Sequence, residues 1–92
     1  MIEYLMHNRE DSVGVLVVDV EKGQVIKGRT LYGDEAPEIN VKSVIPLGHK
    51  IALQDFVPGD TVIKYGVDIG KVVDHIKIGE HVHVHNLKTK RW

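Results

Sequence analysis

Three histidines alternate with valines in His81-Val82-His83-Val84-His85. If this stretch is extended, the imidazoles share one face and the valines the other. That pattern suits a wet or ligand-binding face backed by core. Strand rise sets its limits. Neighbouring members of the trio stand roughly 6.6–7 Å apart and can share one ion, whereas His81 and His85 stand about 13 Å apart and cannot. One ion would take His81 with His83, or His83 with His85, and draw its other ligands from elsewhere. Imidazole suits iron, zinc, copper or nickel. The plainer reading is a solvated strand face that happens to carry histidine, and the residues alone leave both open.

The chain holds six histidines in 92 residues. His49 follows a glycine in Gly48-His49-Lys50, and His7 opens His7-Asn8-Arg9. Either could join the trio in a folded sheet. His75, between Asp74 and Ile76, reads as surface. Lys64 lies within Val62-Ile63-Lys64-Tyr65-Gly66, either on a solvated face or as an ammonium held for an anionic group. Lys88, Lys90 and Arg91 crowd the C-terminus, which either frays or docks on a partner. The final Trp92 tilts the reading toward docking, because an exposed aromatic is costly to leave uncovered. No phosphate-cradling glycine motif, Ser/His/Asp order or paired-carboxylate spacing stands out.

Composition narrows the classes. Lys plus Arg number 12 against 13 Asp plus Glu, a net charge of −1. That balance argues against a nucleic-acid binder or an electrostatic membrane anchor. The longest apolar run, Val15 to Val18, is far below a membrane span. The N-terminus lacks a basic stretch followed by an apolar core, so a cytoplasmic protein is expected. Cysteine is absent, which rules out disulfides, zinc thiolates and a thiol nucleophile. A chain this short buries only about 60–65 % of its unfolded surface, so one domain over 1–92 is expected, with an interface to another subunit or to its own copy in a homo-oligomer.

The residue choice is strongly β. Strands are expected at Ile2–Met6, Val13–Val20, Val25–Tyr32, Glu38–Lys42, Asp60–Tyr65, Lys71–Ile76 and Glu80–His85. The second, branched and almost continuously apolar, should be buried on both faces. Ala52–Phe56 has the composition of a helical turn, and Tyr32–Pro37 reads as a loop. One pattern recurs four times: apolar, two residues, Gly, polar, any residue, apolar. Its glycines are Gly23, Gly48, Gly59 and Gly79, spaced 25, 11 and 20 apart. The uneven spacing excludes a solenoid. Each glycine should sit in a turn that needs positive φ, just before a strand.

Taken in order, Gly48-His49-Lys50-Ile51-Ala52-Leu53, Val62-Ile63-Lys64-Tyr65-Gly66, Ile69-Gly70 and Gly79-Glu80-His81-Val82-His83-Val84-His85-Asn86 resemble the N-terminal, SAF-type domain of the altronate/galactarate dehydratase family. The early Asp11-Ser12-Val13-Gly14-Val15 is similar too, and the likeness runs from His7 to Thr89. The resemblance implies an all-β fold of the β-clip type. It also implies a partner, because in that family this domain works with a much larger one that carries most of the catalytic machinery. The chain then reads as the small subunit of a hydroxy-acid lyase, inactive without a large catalytic subunit. The reaction takes a proton from the carbon beside a carboxylate and expels a group from the next carbon: water from a sugar acid, or sulfite from sulfolactate. The tail from His85 to Trp92 looks more like a small subunit of the sulfite-releasing kind. The family's association with divalent iron implies a metal, with His83 and His85 as ligands or substrate contacts. In that family the position matching His81 looks less fixed than those matching His83 and His85. Lys64 would act in catalysis, and His49, Lys50, Asn86, Lys88 and Thr89 would hold substrate. A free-standing carbohydrate- or metal-binding module is the rival reading.

Overall fold

The computed structural model describes residues 2–7, 10–64, 67–83 and 85–88. Among them it forms nine strands and no helix: β1 (Tyr4–Met6), β2 (Val13–Leu16), β3 (Val25–Thr30), β4 (Glu35–Asn40), β5 (Lys50–Ala52), β6 (Thr61–Lys64), β7 (Val67–Val72), β8 (His81–Val82) and β9 (Leu87–Lys88). The fold is all-β. One sheet runs β4-β3-β1-β2-β5-β8 and a second β6-β7-β9. Among the described strands only β1 and β3 pair in parallel.

The four glycine turns organise these strands, two by two. Val20 and Ile45, which open the first and second motifs, exchange backbone hydrogen bonds of 3.0 Å each. Phe56 and Ile76, which open the third and fourth, do the same at 2.7 and 3.0 Å. The pairing repeats around each glycine. Gly23 N–H donates to Val41 O and Gly48 N–H to Leu16 O, as Gly59 N–H does to Val72 O and Gly79 N–H to Ala52 O. Aspartates brace both pairs alike: Asp19 Oδ1 accepts from Leu47 N–H and Asp55 Oδ1 from Ile78 N–H, each at 2.7 Å. The expected positive φ holds at all four glycines, 86° at Gly48 and 89° at Gly79 among them. At Gly79 a side chain would also strike Asn40 O.

Two apolar clusters fill the interior. Tyr4, Leu16, Ile26, Ile45 and Ile51 belong to the first, and Val13, Ala52, Phe56, Val62 and Val82 to the second. Adjacent positions of β5 serve both, because successive side chains leave opposite faces of a strand. Tyr4 stitches the first sheet together. Its ring fills the space over Gly14 and Gly28, and its hydroxyl donates to Pro37 O at 2.5 Å.

Several expectations need correction. The double-sided burial expected for Val13–Val20 holds only over Val13–Leu16; the chain then leaves the strand, and Val17 is 38 % exposed. Strand β4 begins at Glu35, inside the stretch read as loop, because β3 pairs with it as far as Arg29 and Glu35. Ala52–Phe56 makes no helical turn: Ala52 ends β5 and Phe56 bridges to Ile76. Strand β7 lies earlier than the expected Lys71–Ile76, because Ile76 is taken by that bridge.

Candidate functional site

Register brings the histidines together. Strand β5 pairs antiparallel with β8, with Ile51 opposite His81 and Lys50 opposite Val82. Continuing that register sets His49 opposite His83. The rings follow suit. His49 stacks on His83 with centroids 4.1 Å apart and planes 20° apart. Its Nδ1 lies 2.8 Å from His81 Nε2. One ring nitrogen each of His49, His81 and His83 lies within 4.8 Å of the other two, and the three residues are half-buried.

The His81–His85 strand expected from alternation is a correction. Strand β8 ends at Val82, and the chain turns back so that Asn86 and Leu87 N–H both donate to His83 O. His85 therefore lies 5.1 Å from His81, ring to ring, rather than at the far end of an extended run. The cause is Asn86, which is buried. Its Oδ1 accepts from His83 N–H at 3.0 Å and its Nδ2 donates to His81 O at 2.7 Å. A side chain that satisfies two backbone groups in one loop outcompetes an extended edge strand. Ser43 completes the frame: its Oγ accepts His81 N–H at 3.0 Å. Val82 is buried as expected, while Val84 lies outside the described residues.

The electrostatics favour neutral imidazoles beside fixed cations. Burial, then His85, His49, His83 and Lys50, bring His81 from 6.5 down to about 4. His83 is lowered as well, by partial desolvation first and then by His49, Lys50 and His85. Burial and the ammonium of Lys64 lower Lys50. Neutral imidazole is the form that ligates a metal, and Lys50 beside the cluster, itself acted on by Lys64, suits an anionic ligand.

Each candidate residue within the described part of the chain thus has a place. His49, His81 and His83 converge. His85 is exposed and touches His81. Lys50 adjoins His49, and Lys64, on β6, acts on Lys50. Lys64 also lines an apolar cleft of about 110 Å³ with Leu5, Val13 and Val15. Asn86 spends its amide on the loop backbone. Lys88 is exposed on β9, opposite Lys71. Thr89 and Trp92 lie outside the described residues, as do Tyr65 and Gly66. His75 is exposed, and His7 packs beside Tyr32. Ser43 had no signal in the sequence. No helix among the described residues is long and apolar enough to cross a membrane.

Several known proteins are similar to this chain, some of them over nearly its whole length. The family described as the altronate/galactarate dehydratase SAF domain matches residues 2–90. The (2R)-sulfolactate sulfo-lyase subunit alpha of Chromohalobacter salexigens is 52 % identical over 92 residues, covering 99 % of this chain and 98 % of that protein. A protein of the same name from Paracoccus pantotrophus is 57 % identical over 54 residues, 59 % of this chain and 81 % of its own length. The altronate dehydratase of Bacillus subtilis is 40 % identical over 89 residues, which cover 97 % of this chain and 17 % of that enzyme.

Proposed function

The chain belongs to the altronate/galactarate dehydratase SAF domain family, and from that premise we propose that it is the small subunit of a sulfolactate sulfo-lyase. One observation carries the reading. The sulfo-lyase alpha subunit matches from end to end, 98 % of its length, whereas the altronate dehydratase matches over 17 % of its own. The relative is itself named as a subunit, which supports a separate large subunit as the partner that completes the site.

The chemistry fits the residues. A base removes the proton beside the carboxylate, its electron pair forms a carbon–carbon double bond, and the carbon–sulfur bond breaks to release sulfite. The resulting enol takes a proton and becomes a 2-keto acid. Lys50 and Lys64 provide positive charge for a substrate that carries a carboxylate and a sulfonate. His49, His81 and His83 would hold a divalent metal, iron being the family's association, with exposed His85 beside them to hold or move a proton. Such an ion supplies Lewis acidity toward the carboxylate, which makes the adjacent C–H more acidic. The donor set fits: three imidazoles with converging nitrogens, His81 kept neutral by its surroundings.

The test is reconstitution with a large dehydratase-like subunit and an assay for sulfite from sulfolactate. The pair should release sulfite, and neither chain alone should. Sulfite from the isolated 92-residue chain, or water loss from altronate by the pair in place of sulfite release, would overturn the reading.

A further inference from the structure

Three of the four glycine turns hold their polar side chain by a bond that the remaining turn lacks. Gln24 Oε1 accepts Glu21 N–H at 2.5 Å, Asp60 Oδ2 accepts Val57 N–H at 2.8 Å and Glu80 Oε1 accepts Lys77 N–H at 2.6 Å. In each case the donor lies three residues before the acceptor. The turn from Ile45 to Ile51 closes its backbone in the same way, His49 N–H donating to Pro46 O at 3.0 Å. The residue in the donor position is Pro46, which has no N–H to give.

We propose that Pro46 is a positioning residue for His49: by deleting the turn's own donor it leaves the imidazole Nδ1 to meet His81 and the ring to stack on His83. The inference rests on the reading of His49 as a member of the working cluster. Its basis is local geometry. Nδ1 of histidine is as many bonds from the backbone as Oδ of aspartate, and in neutral imidazole it can accept a hydrogen bond. With an N–H at position 46, His49 would fold onto its own turn as Asp60 does onto Val57. A proline that merely stiffened the turn would suit any of the four. It stands only in the turn whose polar residue is histidine; the others carry Glu21, Val57 and Lys77 there.

The test is Pro46→Ala in the full chain, followed by nitrogen-15 NMR of the histidine rings and by titration with Co²⁺ alone. The expected spectrum shows a coupling across a hydrogen bond from the backbone amide gained at position 46 to His49 Nδ1, together with loss of the His49–His81 contact. Co²⁺ affinity should fall about 10-fold or more, the usual scale for losing an orienting group behind a ligand. If His49 Nδ1 stays with His81 in the variant, the proposal is overturned while the histidine cluster stands. If the unaltered chain binds no Co²⁺, the metal reading fails and the coupling alone decides the role of Pro46. Lys77→Pro runs the rule in reverse and serves if Pro46→Ala does not fold. It should release Glu80, seen as rotamer averaging of its side-chain couplings, with Co²⁺ affinity unchanged. A Glu80 that stays fixed would overturn the rule.

Discussion

His49 Nδ1 and His81 Nε2 face each other at 2.8 Å. Two ring nitrogens at that separation share one proton, so one ring donates and the other accepts. Protonating both would set two N–H groups head to head. The contact therefore works with burial and the neighbouring cations to keep His81 neutral.

That restraint makes stability depend on pH. His81 titrates at about 4 in the folded chain, against an ordinary value of 6.5. Between those values the unfolded chain binds the proton more readily. The stabilisation is complete above about pH 6.5 and is lost progressively as pH falls toward 4. The ring is half-buried, so screening cuts the effect to about 1–2 kcal/mol. Urea unfolding at pH 7.5, 5.5 and 4.5 should show this decline, and His81→Gln should flatten it. A wild-type midpoint that stays level across the range contradicts the account.

Asn86 should matter to the site more than its place behind it suggests. Asn86→Ala removes one acceptor and one donor at a buried position, at a cost of about 1–3 kcal/mol. With the loop released, His83 and His85 lose their aim, and Co²⁺ affinity should drop about 10- to 100-fold. Asn86→Asp keeps the acceptor for His83 N–H but turns an oxygen on His81 O, so it should not rescue. Equal Co²⁺ affinity in wild type and Asn86→Ala would show that the loop holds its shape without the amide.

The glycine turns were legible because each needs a backbone conformation that only glycine adopts cheaply. Their pairing was not, since Val20 finds Ile45 and Phe56 finds Ile76 through sheet order rather than local pattern. Strand β5 escaped notice because only Lys50–Ala52 are extended, within a run that reads as irregular. Alternation marked the histidine trio as one face, but it could not show that Asn86 hooks back on His81 and His83 and bends the run. Nor could it place His49 opposite His83, a relation that depends on β5 lying between β2 and β8.

Tyr4 offers a test of packing away from the site. A Cβ on Gly28 would run into its ring. Gly28→Ala must push the ring off the sheet and should cost about 1–3 kcal/mol. Tyr4→Phe keeps the ring but removes the donor to Pro37 O and should cost about 1 kcal/mol. Chemical denaturation of both variants checks the ranking. A Gly28→Ala chain as stable as wild type would mean that the ring has room to move.

The last prediction separates support from chemistry. His83 is half-buried, stacks on His49 and belongs to neither apolar cluster. A ring in that position contributes contacts to the cluster but little to the core, so His83→Ala should leave the melting temperature of the isolated chain within a few degrees of wild type. The same change removes one of three converging nitrogens, and activity of the reconstituted pair should fall about 100-fold, the scale on which loss of a positioned polar contact lowers rates. His75→Ala, at an exposed position, should change neither quantity. The measurements are a melting curve on the subunit and a sulfite assay on the assembled pair, normalised to folded complex. If His83→Ala lowers the melting temperature by many degrees while normalised activity is unchanged, the imidazoles hold the fold together. The cluster is then part of the architecture, and the lyase chemistry resides in the partner.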